Sequence, residues 1–429
     1  MKILYKNKRG FEDIDVEVEP ARNIKRDSIQ IMILENGKDT NFINSRAGYY
    51  NKYTRLEKLL IFDETMDRIY SHCFYGCANL RIVKLPDSLV RICASAFSGC
   101  LNLEYINLPP SLKRIKEFAF FQCVSLRSIK IPQNIEVISE GAFKFSGLRG
   151  NIEIPNNCTW VGNNAFEYTR IRSVTFQDGK QDSIFSFYIG NAAFSECSLL
   201  ESVKLPNNLY TIPEYCFNRC ISLADVNIPE DVSTIGASAF KCTKISKLEI
   251  PENVGLIDNC AFIFCKCLEK VTIKSRYLSM GSEAFRSCTS LKEVIFENDT
   301  IISIIPESVF CDCHNLMKIK LPNYIGKITE YAFQNCLKLE EVVLPSNLYS
   351  IERYAFSNCC SLRKIVIPKN TCIINCGAFH KCTSLETVII NNQDIKRDEL
   401  LEHVFVDCNN LKELLVLEGN KYINLLDKT

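Results

Sequence analysis

Histidine is scarce in this 429-residue chain, which limits the catalytic and metal sites that it can build. There are four histidines, at positions 72, 314, 380 and 403, and none belongs to an H-E-x-x-H motif. Glycine-rich phosphate-binding motifs are absent from the sequence as well. A Cys–His nucleophile pair stays open, because such partners meet in space and not in sequence. We therefore predict no catalytic residue, no cofactor and no metal, and we expect a protein that is not an enzyme.

The chain also lacks an excess of charge of either sign and a long apolar run. Its 51 basic and 50 acidic residues give a net charge of +1, so no strong field exists to attract nucleic acid. No run of about 18 apolar residues is present, so we expect no membrane span. Residues 1–10 are not followed by the apolar segment of a secretory signal. These absences predict a cytoplasmic protein, and the alternative location is the cell surface.

A repeat fills most of the chain. Phenylalanine returns about every 23 residues, and eleven of the fifteen copies carry alanine directly before it. Self-similarity at this period is typical of a solenoid. The repeated phenylalanines, which we call the register phenylalanines, are Phe74, Phe97, Phe120, Phe143, Phe166, Phe194, Phe217, Phe240, Phe262, Phe285, Phe310, Phe333, Phe356, Phe379 and Phe405.

Within one repeat the apolar positions predict a short strand. Ile106 and Leu108 alternate with polar residues, which favours a strand with one face inward. Pro109 ends that strand because it cannot donate to a ladder. Leu112 and Ile115 bring the chain back to the core, and Phe97 fills the space behind the strand. One such turn cannot bury its own apolar face, so the turns must stack.

The same residues carry a family resemblance. The pattern L-x-x-[VI]-x-[LI]-P, with A-F-x-x-C six residues upstream of the leucine, resembles the BspA-type leucine-rich repeat, and residues 355–368 are a complete copy. Three copies lack the cysteine and one further residue, and Ser146, Thr169 or Thr243 takes its position. The resemblance implies a leucine-rich repeat solenoid, a curved parallel β-sheet with short helical or irregular return segments. It also implies binding or adhesion, not catalysis.

The repeat sets the expected domain boundaries. Residues 1–55 lack the repeat, and in two places their apolar and polar residues alternate as in a strand. We therefore predict an N-terminal cap or small β module there. Residues 56–417 form the predicted solenoid of fifteen to sixteen turns, with a strand in each turn, and residues 418–429 form a C-terminal tail. Longer spacings place extra loop residues near 177–183, 297–300 and 391–402, the last with room for a helical turn or two.

Cysteine is abundant, with 23 residues in the chain. Twelve lie three residues after a register phenylalanine, so stacked turns place them in a column. We interpret this column as buried thiols that act as small apolar side chains and weak donors to turn carbonyls. Disulfides along the column are the alternative, which needs an oxidising compartment. The pairs Cys311/Cys313 and Cys265/Cys267 resemble metal half-sites, but one cysteine of each pair belongs to the column.

The positions that the repeat leaves free point to a candidate binding surface. The central outward position of each strand accepts Lys84, Asn107 or Glu249 in earlier turns. At the end of the chain it is occupied by four consecutive apolar residues, Val343, Val366, Ile389 and Leu415, which we call the apolar strip. Glu341 and Lys364 are charged neighbours of this strip. Either these four residues reflect strand propensity, or they form a docking surface.

Two classes of function follow from these observations. The first is a scaffold that presents the concave face of the solenoid to a protein partner of unknown identity. The second is a cell-surface adhesin or a receptor-like binding protein. Self-association through the apolar strip, and a C-terminal tail that folds back over it, are further alternatives for that surface.

Overall fold

The fold was obtained as a computed structural model, which describes residues 2–7, 10–15, 29–34, 54–177, 186–297, 300–392, 395, 400–419 and 421–428. Most of the loop expected at 177–183 lies outside these residues, as does much of the 391–402 insertion. The chain divides into two units. Unit 1 comprises residues 1–209 and 219–227, and unit 2 comprises residues 210–218 and 228–429.

Unit 1 contains three sheets. The first has the order β2-β1-β3-β4-β6-β8, the second β14-β12-β10-β9-β7-β5, and the third β11-β13-β15-β17. Their strands are β1 (Lys2–Asn7), β2 (Gly10–Asp15), β3 (Ile29–Leu34), β4 (Lys58–Ile61), β5 (Arg68–Ile69), β6 (Ile82–Lys84), β7 (Arg91–Ile92), β8 (Tyr105–Ile106), β9 (Arg114–Ile115), β10 (Val137–Ile138), β11 (Arg149–Ile154), β12 (Trp160–Val161), β13 (Arg170–Phe176), β14 (Tyr188–Ile189), β15 (Ser202–Lys204) and β17 (Asp225–Val226).

Unit 2 contains four sheets, with the orders β16-β18-β20-β22, β19-β21-β23-β25-β27, β24-β26-β28-β30 and β29-β31-β32-β33. A π-helical turn spans Leu400–Val404, and a 3-10 turn spans Leu425–Lys428. The strands are β16 (Thr211–Ile212), β18 (Thr234–Ile235), β19 (Lys247–Ile250), β20 (Leu256–Ile257), β21 (Lys270–Ile273), β22 (Ser279–Met280), β23 (Glu293–Phe296), β24 (Ile304–Ile305), β25 (Lys318–Lys320), β26 (Lys327–Ile328), β27 (Glu341–Val343), β28 (Ser350–Ile351), β29 (Lys364–Ile367), β30 (Ile373–Ile374), β31 (Thr387–Ile390), β32 (Glu413–Glu418) and β33 (Lys421–Asn424).

Most of the predicted strands pair in parallel with the strand one repeat further on, which confirms the expected fold class. Lys270 pairs with Glu293, and Glu293 pairs with Lys318. The structure also has a second parallel ladder, which the sequence did not predict, on the return segments. Its strands are two residues long, as in the pairing of Ile328 with Ile351. The described part of the chain has little helix, so the return segments are held by this second ladder.

One predicted strand is missing. Residues 126–132 are not a strand, although the repeat pattern there is complete. The next turn is a shortened copy, and the pairing of its strand β11 with β13 shifts register between Gly150 and Asn151. Arg149 N still donates to Arg127 O over 2.9 Å. We attribute the missing strand to the lost residue, because a one-residue slip puts backbone groups out of phase with the neighbouring turn.

The register phenylalanines form the core of both units, as predicted. Phe120, Phe217 and Phe333 are fully buried. Neighbouring rings are stacked with nearly parallel planes, with centroids 5.6 Å apart for Phe97 and Phe120 and 5.0 Å apart for Phe333 and Phe356. Alanine precedes most of these rings, and its small side chain is fully buried beside them.

Backbone hydrogen bonds join the loops around the phenylalanines from turn to turn. The N–H groups of Ser95, Phe97 and Gly99 donate to the carbonyls of residues 117, 119 and 121 over 2.8–2.9 Å. This ladder requires two left-handed residues per turn, here Ser95 at φ 53° and Gly99 at φ 74°. Gln122 takes the same conformation at φ 58° without being glycine. The inter-turn bonds therefore offset a conformational cost of about 1–2 kcal/mol at each such residue.

The ends of the array also pair with it. In the segment before residue 56, β1 and β2 form an antiparallel hairpin, and β3 pairs in parallel with β4. In the tail, β33 pairs antiparallel with β32. The predicted boundaries at residues 55 and 417 stay predictions, because both flanking segments share sheets with the repeats.

Candidate functional site

The apolar strip lies on the outward faces of four successive repeat strands of unit 2: Val343 is on β27, at the edge of one sheet, and the other three residues are on β29, β31 and β32 of the next sheet. Val366 pairs with Ile389, and Ile389 pairs with Leu415. Val343 is 45% exposed and Val366 is 41% exposed, whereas Ile389 and Leu415 are half-buried. The residues that alternate with them, such as Val342 and Ile365, are buried. The period of two therefore sends one set of side chains into the core and leaves the strip outside.

Two grooves run beside the strip. The first, which we call the Lys320 groove, has a volume of about 710 Å³ and includes Ile295, Lys320, Tyr324 and Val343 in its lining. The second, the Val366 groove, has a volume of about 610 Å³ and includes Val343, Val366 and Asn391. Val343 and Glu341 line both grooves, so the two are neighbours on one face.

The two charged residues that we predict for the rim of the strip are Glu341 and Lys364. Glu341 and Lys364 are both exposed, Glu341 lines both grooves, and Lys364 lines the Val366 groove. Within the described residues, no ion pair joins either side chain to another. Glu293, which lies two strands before Glu341 at the equivalent position, is different because its carboxylate lies 3.2 Å from the ammonium of Lys270. Glu341 and Lys364 are therefore free to meet charges on a partner.

The C-terminal tail pairs with β32, the strand that carries Leu415. Leu415 pairs with Asn424 across the edge of the sheet, and Leu417 pairs with Tyr422. The Tyr422 hydroxyl donates to Asn391 Oδ1 over 2.6 Å, which ties the tail to the lining of the Val366 groove. Val343 and Val366 remain exposed with the tail in this position. The tail extends the sheet by one strand and leaves these two valines open.

Sequence reasoning missed two lining residues, Lys320 and Tyr324. Tyr324 is 53% exposed and lies two residues after Pro322. In other turns this position is Ser, Asn or Asp, as in Ser88, and several of the asparagines donate to the carbonyl of the previous turn, as Asn347 does to Asn323 over 3.1 Å. Tyr324 could have been found by comparing the repeats, because it is an aromatic residue at a position that is small and polar in other turns.

The cysteine column is buried, as predicted. All twelve register cysteines are buried, and eleven place Sγ 3.1–3.3 Å from the carbonyl of the register phenylalanine in the preceding turn, as Cys336 does with Phe310. Burial raises the pKa of the Cys265 thiol to about 12. These thiols act as weak donors inside the core. No cluster of three or more His, Cys, Asp or Glu that could hold a metal ion occurs in the part of the chain that the structure describes.

Three side chains of unit 2 resemble a hydrolytic triad in composition. Ser357 Oγ lies 3.5 Å from His380 Nδ1, and His380 Nε2 lies 3.4 Å from Asp407 Oδ2. Both distances are at the long limit of a hydrogen bond. Ser357 is only 4% exposed, so a substrate carbonyl has no access to its hydroxyl. We assign no catalytic role to this set.

Comparisons with known proteins agree with the fold. The profile of the BspA type leucine rich repeat region matches residues 52–186, 187–305 and 303–425. A leucine-rich repeat protein from Bacteroides ovatus is 30% identical, with 82% of this chain and 87% of that chain covered and a TM-score of 0.71. A leucine rich cell surface protein from Faecalibacterium prausnitzii is 23% identical, with coverages of 84% and 86% and a TM-score of 0.35. None of the curated proteins matches this chain at a significant level.

These matches cover nearly the whole chain, and the chain belongs to the BspA-type leucine-rich repeat family. Over the residues that the structure describes, no helix is both long and apolar enough to pass through a lipid bilayer.

Proposed function

We propose that this BspA-type leucine-rich repeat protein is a non-enzymatic scaffold that binds a protein partner along the apolar strip of unit 2. One observation carries the proposal: four consecutive turns place an apolar residue at a position where other turns of the same fold place Lys84, Asn107 or Glu249. The fold does not require apolar side chains there, which supports a role for the strip in binding.

The strip has the size and composition of the core of a small interface. Val366, Ile389 and Leu415 lie on paired strands about 4.8 Å apart and extend over about 10 Å, and Val343 continues the strip at the edge of the preceding sheet. Burying the remaining exposed surface of Val343 and Val366 contributes roughly 1 kcal/mol for each side chain, about half of the value for a whole valine. Glu341 and Lys364 provide the polar rim that surrounds such cores.

The proposed location is the cytoplasm, and the buried thiol column supports it. Stacked thiols in neighbouring turns are at risk of oxidation during folding in an oxidising compartment. The alternative is a cell-surface adhesin or receptor-like protein that uses the same strip. Surface biotinylation of intact cells separates the two, because only the surface protein is labelled before lysis. A second copy of the chain is the alternative occupant of the strip.

A photo-crosslinking amino acid in place of Val366 tests the proposed site. Partners crosslinked in cells are identified and then measured for binding to the double variant Val366→Lys/Ile389→Lys. We expect binding to these partners to fall at least tenfold, because two buried lysines would lack counter-charges. The matched control is Thr175→Lys/Thr272→Lys, which changes half-buried residues at equivalent strand positions outside the strip. Circular dichroism confirms that both variants fold.

A double variant that keeps every crosslinked partner at wild-type affinity rules out the strip as a docking site. In that case the four apolar residues reflect ordinary strand composition. Crosslinks only to a second copy of the chain would show instead that the strip is a self-association surface, which sedimentation of the wild type and the double variant would then confirm.

A further inference from the structure

One cation, Lys320, occupies the central outward position among the apolar residues near the end of the chain. Ile295 comes before it and Val343 follows it, and Lys320 pairs in register with Val343. Lys320 is exposed and lines the Lys320 groove, and in the described residues its ammonium makes no ion pair. Lys84, at the same position in unit 1, differs because its ammonium lies 4.6 Å from the centroid of the Phe62 ring.

A partner that lies along the strip and fills the Lys320 groove must cover this ammonium. Removing a charge from water without a counter-charge costs several kcal/mol, so a purely apolar ligand would bind against that cost. A carboxylate placed beside Lys320 offsets it. Lys318, Arg363, Lys364 and Lys369 also line the two grooves, so five cations face three carboxylates, those of Glu293, Glu340 and Glu341. The lining therefore favours an anionic ligand over a cationic one.

The spacing of the strip fits an extended peptide that crosses the strands. Lys320 to Ile389 is three steps between successive strands, or about 14 Å when the step from β27 to β29, which lie in different sheets, is taken as equal to a ladder spacing. In an extended chain, side chains on one face recur about every 6.8 Å, so residues i and i+4 lie about 14 Å apart. A carboxylate at position i then lies over Lys320, an apolar side chain at i+2 lies between Val343 and Val366, and another at i+4 lies over Ile389.

We infer that the partner presents an extended segment with an acidic residue followed by apolar residues two and four positions later, and that Lys320 selects the acidic residue. This inference rests on the proposed function, because it specifies the chemistry of the ligand for the same strip. Tyr324 adds an apolar wall to the groove at the end where the acidic residue lies.

Fluorescence anisotropy with three labelled peptides tests this inference. The probe is Gly-Ser-Asp-Thr-Leu-Thr-Leu-Ser-Gly, and its two companions carry Asn or Lys in place of Asp. With the wild-type chain at low salt, we expect the Asp peptide to bind about fivefold more tightly than the Asn peptide, the upper range for a partly exposed ion pair. The Lys peptide should bind most weakly, and the preference should shrink at high salt.

Three variants show which side chain makes the distinction. Lys320→Met should bind the Asp and Asn peptides equally, and Lys320→Glu should prefer the Lys peptide. The control Lys130→Met changes an exposed lysine at the equivalent position of unit 1 and should keep the wild-type preference. Val366→Lys/Ile389→Lys should lose all three peptides.

Several outcomes overturn the inference. Equal binding of the three peptides to the wild type, with loss in the double variant, removes the acidic preference but leaves the proposed function standing. An unchanged preference in Lys320→Met assigns the selection to another side chain. Absence of binding at millimolar peptide excludes this ligand class, and the crosslinking experiment decides the proposed function separately. If the chain dimerises through the strip and the Asp peptide does not dissociate the dimer, the occupant is a second copy.

Discussion

Replacing Phe333 by alanine should destabilise unit 2 strongly and leave unit 1 largely unaffected. Phe333 is fully buried, and its ring stacks between Phe310 and Phe356 at centroid distances of 5.5 and 5.0 Å. Losing about 150 Å² of buried apolar surface costs about 4 kcal/mol at 25 cal/mol per Å². This value falls within the range of about 3–5 kcal/mol for Phe→Ala changes in protein cores.

The position of the tryptophan makes the experiment specific to one unit. The chain has one tryptophan, Trp160, which lies in unit 1 and stacks on Tyr188 at a centroid distance of 3.9 Å. Its fluorescence in a urea titration reports the unfolding of unit 1, whereas far-ultraviolet circular dichroism reports the whole chain. In a solenoid each turn contacts its neighbours, so local destabilisation splits the transition. For Phe333→Ala we expect part of the dichroism to be lost at lower urea while the Trp160 midpoint stays in place.

A control and a mirror variant complete the test. Phe264→Ala removes a phenyl ring that is 38% exposed, so its effect on the dichroism midpoint should be small. Phe120→Ala changes the equivalent core position in unit 1 and should move the Trp160 transition. If Phe333→Ala shifts both probes equally, the coupling extends over the whole chain and the nearest-neighbour reasoning is wrong. If it shifts neither probe, the phenylalanine column does not carry the stability assigned to it.

Further predictions concern the glycines and the thiols. Gly141→Ala should cost more stability in thermal unfolding than Gly150→Ala: both glycines have positive φ, but an added Cβ lies 2.4 Å from the Phe118 ring at Gly141 and meets nothing within 4 Å at Gly150. Equal costs would show that backbone strain alone decides. Native protein at pH 8 should expose thiols such as Cys267 to a thiol reagent but none of the register cysteines, and denaturant should expose all 23. The folded-state pKa of Cys265 is raised from 9.0 to about 12, so the buried neutral thiol contributes fully to the free energy of unfolding below pH 9. This contribution is lost as the pH rises towards 12, at about 1.4 kcal/mol per pH unit. A free energy of unfolding that stays constant from pH 9 to 11 would contradict this.

The repeat allowed the core and the parallel pairing to be predicted because both depend on apolar residues at fixed spacing. The left-handed residues could not be predicted in the same way. Sequence rules assign positive φ to glycine and asparagine, yet Phe118 and Tyr331 adopt φ values of 54° and 58°. Hydrogen bonds to the next turn, such as Phe118 N to the carbonyl of Glu140 over 2.9 Å, determine this conformation. These hydrogen bonds join residues of successive turns, so a local window of sequence does not predict them.

The candidate site, too, could be predicted from the sequence only in part. The apolar strip was visible in the sequence because it departs from the residues that other turns place at one register position, and its role in docking stays a prediction. The grooves were not visible, because their walls combine strand residues with Tyr324 and Asn347 from the loops that follow each strand. A repeat fixes its buried positions by packing, so its outward positions are free to vary with the ligand. A departure at an outward position, such as Tyr324 where other turns carry Ser or Asn, therefore carries more information about binding than any match to the consensus.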